Sequence, residues 1–283
     1  MYKSRSRHIL ERSFSHIILI LLICSCNSNR LPNITDPPID IPLEIPELPG
    51  IPSILRQLPG IVEELGLPDL SQIANLPDLD DLPFFQNPPP GSIIYNGPTE
   101  KRIDQGQRIP GTDIELIAIE GDQAEFRIAG LRSLRTIGDS LDFDGGWPGT
   151  TDTEYYLRLR IYRIGNDNIR VAGVHQLVVR NVQPFVAQPS MQRFTLKFPF
   201  TTNANIHENF TGTTYGYIGQ DSRGGQIAGL PADEYPYRKL GDSIRWQGFI
   251  RPDLPVVYNI RLLLYNDESA RVGGTVTIEL PAY

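Results

Sequence analysis

Beyond Pro90 the apolar residues of this chain recur at every second position. Leu141 and Phe143 alternate with Ser140, Asp142 and Asp144, and Leu157, Leu159 and Ile161 alternate with Arg158, Arg160 and Tyr162. Ile244 and Trp246 repeat the arrangement further on. A period of two places successive side chains on opposite faces of a strand, so these runs predict half-buried antiparallel strands. Gly, Asp, Asn and Pro punctuate them, as turns require. The stretch TDIELIAIEGDQAEFRIAG (112–130) predicts a hairpin that turns at Gly121-Asp122. MQRFTLKFPF (191–200) and GGTVTIEL (273–280) predict further strands, and no amphipathic helical pattern follows Pro90.

The strand pattern occurs twice. RTIGDSLDFDGGW, from Arg135, returns as RKLGDSIRWQGFI, from Arg238, an offset of 103 residues. At the same offset Tyr155, Arg158, Leu159 and Tyr162 match Tyr258, Arg261, Leu262 and Tyr265. After a two-residue deletion, IRVAGV (169–174) matches ARVGGT (270–275). So many matches in one order predict an internal duplication. The expected class is all-β: two tandem antiparallel β-sandwich domains, at 91–184 and 185–283. In size and texture each resembles a bacterial immunoglobulin-like module, although the Cys…Trp…Cys hallmark is absent.

The segment before these domains has another composition. Between Arg30 and Pro90 lie 14 of the 25 prolines, and ten carboxylates there face only Arg30 and Arg56. The net charge of −7 thus belongs to this stretch more than to the strands, and a basic surface for nucleic acid has no compositional support. Leu-Pro recurs at 48–49, 58–59, 67–68, 76–77 and 82–83. Proline suits the first helical position and no interior one, so each unit predicts at most a short helical turn opened by its proline. The range 26–90 is therefore expected to be a proline-stiffened linker or a set of short helical turns.

At the start, Lys3, Arg5, Arg7 and Arg12 precede the apolar run Ile17 to Ile23. The run is shorter than the roughly 20 residues a transmembrane helix needs and fits the core of an export signal. Ile23-Cys24-Ser25-Cys26 resembles the lipobox of bacterial lipoproteins. The resemblance implies a signal peptide at 1–25 and lipidation of Cys26. Both cysteines of the chain lie here, so a lipidated Cys26 leaves no disulfide framework or thiolate metal site for the strands. Asn27 follows, where many inner-membrane lipoproteins carry aspartate, which implies the outer membrane.

Three groups of residues bear on chemistry. Gly138-Asp139-Ser140-Leu141 resembles the signature of the GDSL esterases, with Ser140 as nucleophile. That chemistry needs a base and a group to orient it, which the family draws from Asp-x-x-His. After the signal only His175 and His207 remain, preceded at three residues by Ala172 and Ala204. The triplet also returns as Gly241-Asp242-Ser243, which marks a structural turn tied to the repeat. Asp139, Asp142 and Asp144 surround a glycine pair and form a calcium candidate, but Arg245 and Gln247 replace the last two in the second copy. Residues 201–237 match the first copy little and hold Tyr215, Tyr217, Arg223, Tyr235 and Tyr237, expected as a binding surface on loops. The expectation is a non-catalytic cell-envelope lipoprotein without cofactor, with a structural or protein-binding role. The alternative is a carbohydrate-binding or adhesion module built on the second domain, and an esterase ranks below both.

Overall fold

The computed structural model describes residues 76–83, 89–187 and 194–282. The expected signal, Cys26 and most of the expected linker lie outside the described residues. Fourteen strands follow one short 3-10 turn at Leu79–Asp81. That turn follows Pro77 and is capped by Asp78, whose carboxylate accepts the Asp80 N–H at 2.8 Å. Pro77 stands before the cap and not at the first helical position, and the Leu-Pro units at 48–49, 58–59 and 67–68 lie outside the described residues. Asp81 acts electrostatically on Asp142 and Arg158, which sets this segment beside the outward face of the first sheet.

The chain is all-β in its described domains, and the two repeats have one topology. In the first, β1 (Ile93–Asp104), β5 (Ser140–Gly146), β6 (Thr153–Ile164) and β7 (Asn168–Val179) form a sheet in the order β1-β7-β6-β5. Strands β2 (Glu115–Glu120), β3 (Gln123–Ile128) and β4 (Leu131–Arg135) form a three-stranded meander. The second repeat copies this. Strands β8 (Phe194–Asn205), β12 (Ser243–Arg251), β13 (Leu254–Tyr265) and β14 (Ser269–Leu280) pair as β12-β13-β14-β8. The meander is β9 (Gly216–Asp221), β10 (Gly224–Ala228) and β11 (Tyr237–Arg238). All pairs are antiparallel. The hairpin expected at 112–130 is β2–β3, turning at Gly121-Asp122. The grouping of strands one, five, six and seven against two, three and four differs from the immunoglobulin grouping of A, B, E and D against C, F and G. Similar strand spacing is compatible with either grouping, because periodicity sets faces and not partners.

Hydrogen bonds fix which residues are equivalent. Ile161 exchanges backbone bonds with Gly138 and Asp139, and Leu262 does so with Gly241 and Asp242. Arg160 pairs with Ser140, and Arg261 with Ser243. The last two strands therefore both match at an offset of 101, as the pairing of IRVAGV with ARVGGT already has it for the final strand, whereas the apolar residues of β6 and β13 suggest 103. The two-residue difference lies in the β5–β6 connection. A slip of two keeps every side chain on its face, so alternation alone does not resolve it.

The two repeats do not close separate cores; both fall in one compact unit. The strands β1, β6 and β7 are 12 residues each, about 40 Å long at about 3.3 Å per residue. In the second repeat the meander covers one end of the inner face, with Gly225 against Leu262 and Tyr265. The other end meets the first repeat. Tyr95 packs 5.9 Å from the Phe198 ring and its hydroxyl lies 2.5 Å from that of Tyr258. Trp147 stacks on Phe194 at 5.7 Å, and its indole N–H donates to the Pro281 carbonyl. Gly97 meets Pro199 so closely that a Cβ would stand 2.5 Å from the proline Cδ. The residue range 183–185 then joins the second sheet, exchanging backbone bonds between Phe185 and Phe249. The boundary at 184/185 thus marks the end of a repeat, while the buried cluster runs across it.

Burial raises the pKa of both Tyr95 and Tyr258, so both stay protonated and one hydroxyl donates to the other. Removing one hydroxyl leaves the second buried without a partner, which costs about 1–3 kcal/mol, whereas removing both is close to neutral. Tyr95→Phe and Tyr258→Phe are each expected to lower stability by about 1–2 kcal/mol, and the double variant by less than the sum. Urea unfolding of the four proteins measures this; simple additivity would contradict it.

Candidate functional site

The Gly-Asp-Ser triplets are turns in both repeats. Asp139 accepts the Thr136 N–H at 2.8 Å and Asp242 accepts the Lys239 N–H at 2.7 Å. Gly138 and Gly241 hold φ of 94° and 85°, which favours glycine. Ser140 then opens β5 on the outward face, where its Oγ accepts a bond from Arg160 at 2.8 Å. His175 stands on the inner face of β7, two strands away, stacked 4.2 Å from the Phe198 ring. His207 belongs to the other repeat, in a turn at φ 67°, where Gly106 stands in the first. The structure therefore does not assemble Ser140 with either histidine.

The three aspartates of the calcium candidate also have other partners. Asp139 is held in its turn, and Asp144 binds Arg158 through both oxygens at 2.5 and 3.1 Å. Burial raises the Asp142 pKa, opposed by Arg158 and Arg160. Among the described residues no three His, Cys, Asp or Glu side chains gather as a metal group.

The five residues expected on loops of the second repeat separate into two sets. Tyr215 and Tyr217 are buried, because they occupy the places of Ile114 and Leu116 in the first repeat. Tyr217 donates to the Asn266 carbonyl at 2.5 Å, and burial with Asp267 pushes its pKa up to about 12. These two are core residues. The sequence holds a signal for this: Gly111-Thr112 recurs as Gly212-Thr213. In both turns the threonine hydroxyl donates back three residues and accepts the N–H two residues ahead.

Arg223, Tyr235 and Tyr237 do come together. The first repeat joins its second and third meander strands with Ala129-Gly130, whereas the second uses the longer range 229–236 and shortens the next strand to two residues. Arg238, buried at the base of this longer connection, donates to the carbonyls of Tyr235 and Tyr237 and pairs with Glu234. The Pro236 carbonyl accepts the Ile227 N–H at 2.8 Å. The loop is thus tied down at its base while Tyr235 stays 59% exposed. Its ring centroid is 5.6 Å from that of Tyr237. The Arg223 guanidinium lies 3.8 Å over the Tyr237 ring and bonds its hydroxyl. Asp221 fixes Arg223 from below, and that bond lowers the carboxyl pKa to about 2. The result is a preorganised platform of two tyrosines and an arginine.

One group that pattern reading passed over lies where the repeats meet. Lys101 holds an inward-facing place on β1, beside a cleft of about 470 Å³ lined also by Arg102, Gln107, Arg108 and Phe194. Burial lowers its pKa to about 8, opposed by Glu100. Its Nζ stands 5.7 Å from the Phe194 ring centre. A lysine in a strand of mixed charge, GPTEKRID, gives no sequence signal of this. Comparison with protein-family models, curated proteins and solved structures returned no match to this chain.

His175 sets a pH dependence. Burial, then the nearby Lys101 charge, lowers its pKa well below 6.5, so it is neutral in the fold. Below about pH 6.5 the unfolded chain binds a proton that the folded chain does not, and stability falls as pH falls. The component approaches about 1.4 kcal/mol per pH unit for one such group. Chemical denaturation from pH 7 to 5 is expected to show this slope in the wild type and its loss in His175→Leu. Equal slopes would refute it.

Proposed function

We propose that the protein is a non-catalytic lipoprotein of the bacterial cell envelope that holds a duplicated β-sandwich unit on a tether and binds a partner through the second repeat. Lipid on Cys26, implied by the lipobox resemblance, anchors it, in the outer membrane by the analogy of Asn27. More than one acyl chain is needed for stable anchoring, and the lipoprotein modification supplies several. The proline-rich stretch gives the unit reach from the surface.

The observation that carries the binding role is the connection at 229–236, two residues of net insertion and a shortened strand relative to the first repeat. It is clamped by Arg238, and it exposes Tyr235 beside Tyr237 and Arg223. Tyrosine and arginine are enriched among the few residues that dominate binding energy in protein interfaces: tyrosine offers large area at small entropic cost, and arginine offers directed donors. A protein of the envelope is the first reading of the partner. The exposed face of Tyr235 also suits the apolar face of a sugar ring, which supports the carbohydrate alternative. Ser140 and His175, on opposite faces of one sheet, give no support to an esterase. The chain's acidity gives none to nucleic acid.

Two measurements test the proposal. Labelling with a radioactive or alkyne fatty acid is expected to mark the wild type and its membrane fraction, with both lost in Cys26→Ser; an unlabelled wild type refutes the anchor. Envelope glycans on an array, and a photo-crosslinker placed beside Tyr235 in living cells, read the platform. Tyr235→Ala and Arg223→Ala are each expected to weaken the captured interaction about tenfold or more. Undiminished capture would remove the platform from the function.

A further inference from the structure

The two repeats place opposite charges at equivalent points of one sheet face. On the outward face of the first four-stranded sheet, Asp142 and Asp144 lie beside Arg158 and Arg160, and Glu100 completes the row of Ser140 and Arg160. At the same row positions the second sheet has Arg245, Gln247 and Thr201. All three carboxylates are gone. The arginine at the turn is kept: Arg160 donates to the Gly138 carbonyl and Arg261 to that of Gly241.

Arg261 pairs with Ser243 and Arg245 with Asn259, so the two arginines are diagonal neighbours on one exposed face. Such positions are about 7–8 Å apart at Cα, within mutual reach of long side chains. In the first repeat the equivalent diagonal is Asp142 with Arg160, an attractive pair; here it is two cations. Arg245 makes no hydrogen bond or ion pair with the described residues. The adjacent carboxylate, Asp242, is directed to the Lys239 N–H. Between the arginines the surface dips into a cleft of about 220 Å³, to which Ser243 and Asn259 add a hydroxyl and an amide.

We propose that this cleft binds an oxyanion, a carboxylate or phosphate group borne by a small ligand, between Arg245 and Arg261. Guanidinium groups bond both kinds of group through paired N–H donors, and an anion there relieves the repulsion the diagonal creates. Ser243 and Asn259 offer bonds to the neutral part of the ligand. The cleft is smaller than the 300–1,000 Å³ of most ligand pockets, so it suits one charged group on a sugar or acid rather than a large cofactor. The site is separate from the tyrosine platform.

The test is calorimetric titration of the full protein with sodium phosphate and with trigalacturonate, at about 0.01 M ionic strength, where charges are little screened. Binding of either probe is expected, and the one that binds identifies phosphate or carboxylate as the source of the anion. Arg245→Asp, which restores the first repeat's pattern, is expected to weaken binding at least tenfold and to raise the melting temperature without ligand. Tyr235→Ala is expected to leave this binding unchanged, which separates the cleft from the platform. No binding of either probe to the wild type, or binding undiminished in Arg245→Asp, would overturn the proposal.

Discussion

The burial of two long inner sheet faces against each other is the constraint on which this structure rests. Each four-stranded sheet is longer than the meander beside it can cover. The uncovered ends carry aromatic residues that pack across the repeats, Tyr95 against Phe198 and Trp147 against Phe194. Apolar area taken from water contributes about 25 cal/mol per Å², so leaving such an end exposed would remove much of the stability available to one repeat. Polar contacts specify the fit. Arg251 on β12 reaches Thr153 of the first repeat while Asp253 holds its guanidinium.

Duplication also supplies an internal comparison. Features that both repeats keep are those the fold needs: the Gly-Asp-Ser turn, the Gly-Thr turn, and Gly173 and Gly274. At these last two a Cβ would stand 2.0 and 2.2 Å from the carbonyl oxygens of Arg158 and Asn259. Features that differ are free to serve something else. The longer connection at 229–236 and the exchange of Asp142 for Arg245 are of this second kind.

Strand positions were legible because alternation is a local property, and so was the hairpin at Gly121-Asp122. The reuse of Gly-Asp-Ser was legible as a turn because it travelled with the repeat. What alternation does not contain is the partner of each strand or the depth of a polar residue. Tyr215 and Tyr217 read as loop residues because tyrosine is common on surfaces, whereas their places are those of Ile114 and Leu116. The equivalence of the first four strands was hidden by such changes of residue, although Gly111-Thr112 and Gly212-Thr213 pointed to it. Sharing of one core between repeats, and with it the burial of His175 and the half-burial of Lys101, depends on contacts far apart in sequence. Of the platform, Arg223, Tyr235 and Tyr237 were legible as a composition, and their meeting was not.

The hydroxyl pair at the centre bears on how such a chain could arise. A single ancestral unit with an open inner face would associate as a homodimer, and twofold symmetry would oblige both subunits to present the same side chains. Fusion into one polypeptide lifts that obligation. Tyr95 stands where the second repeat has Leu196, and Tyr258 where the first has Leu157, all four buried. A bond made once, by unlike positions of two like units, is a solution open to the fused chain and closed to a symmetric ancestor.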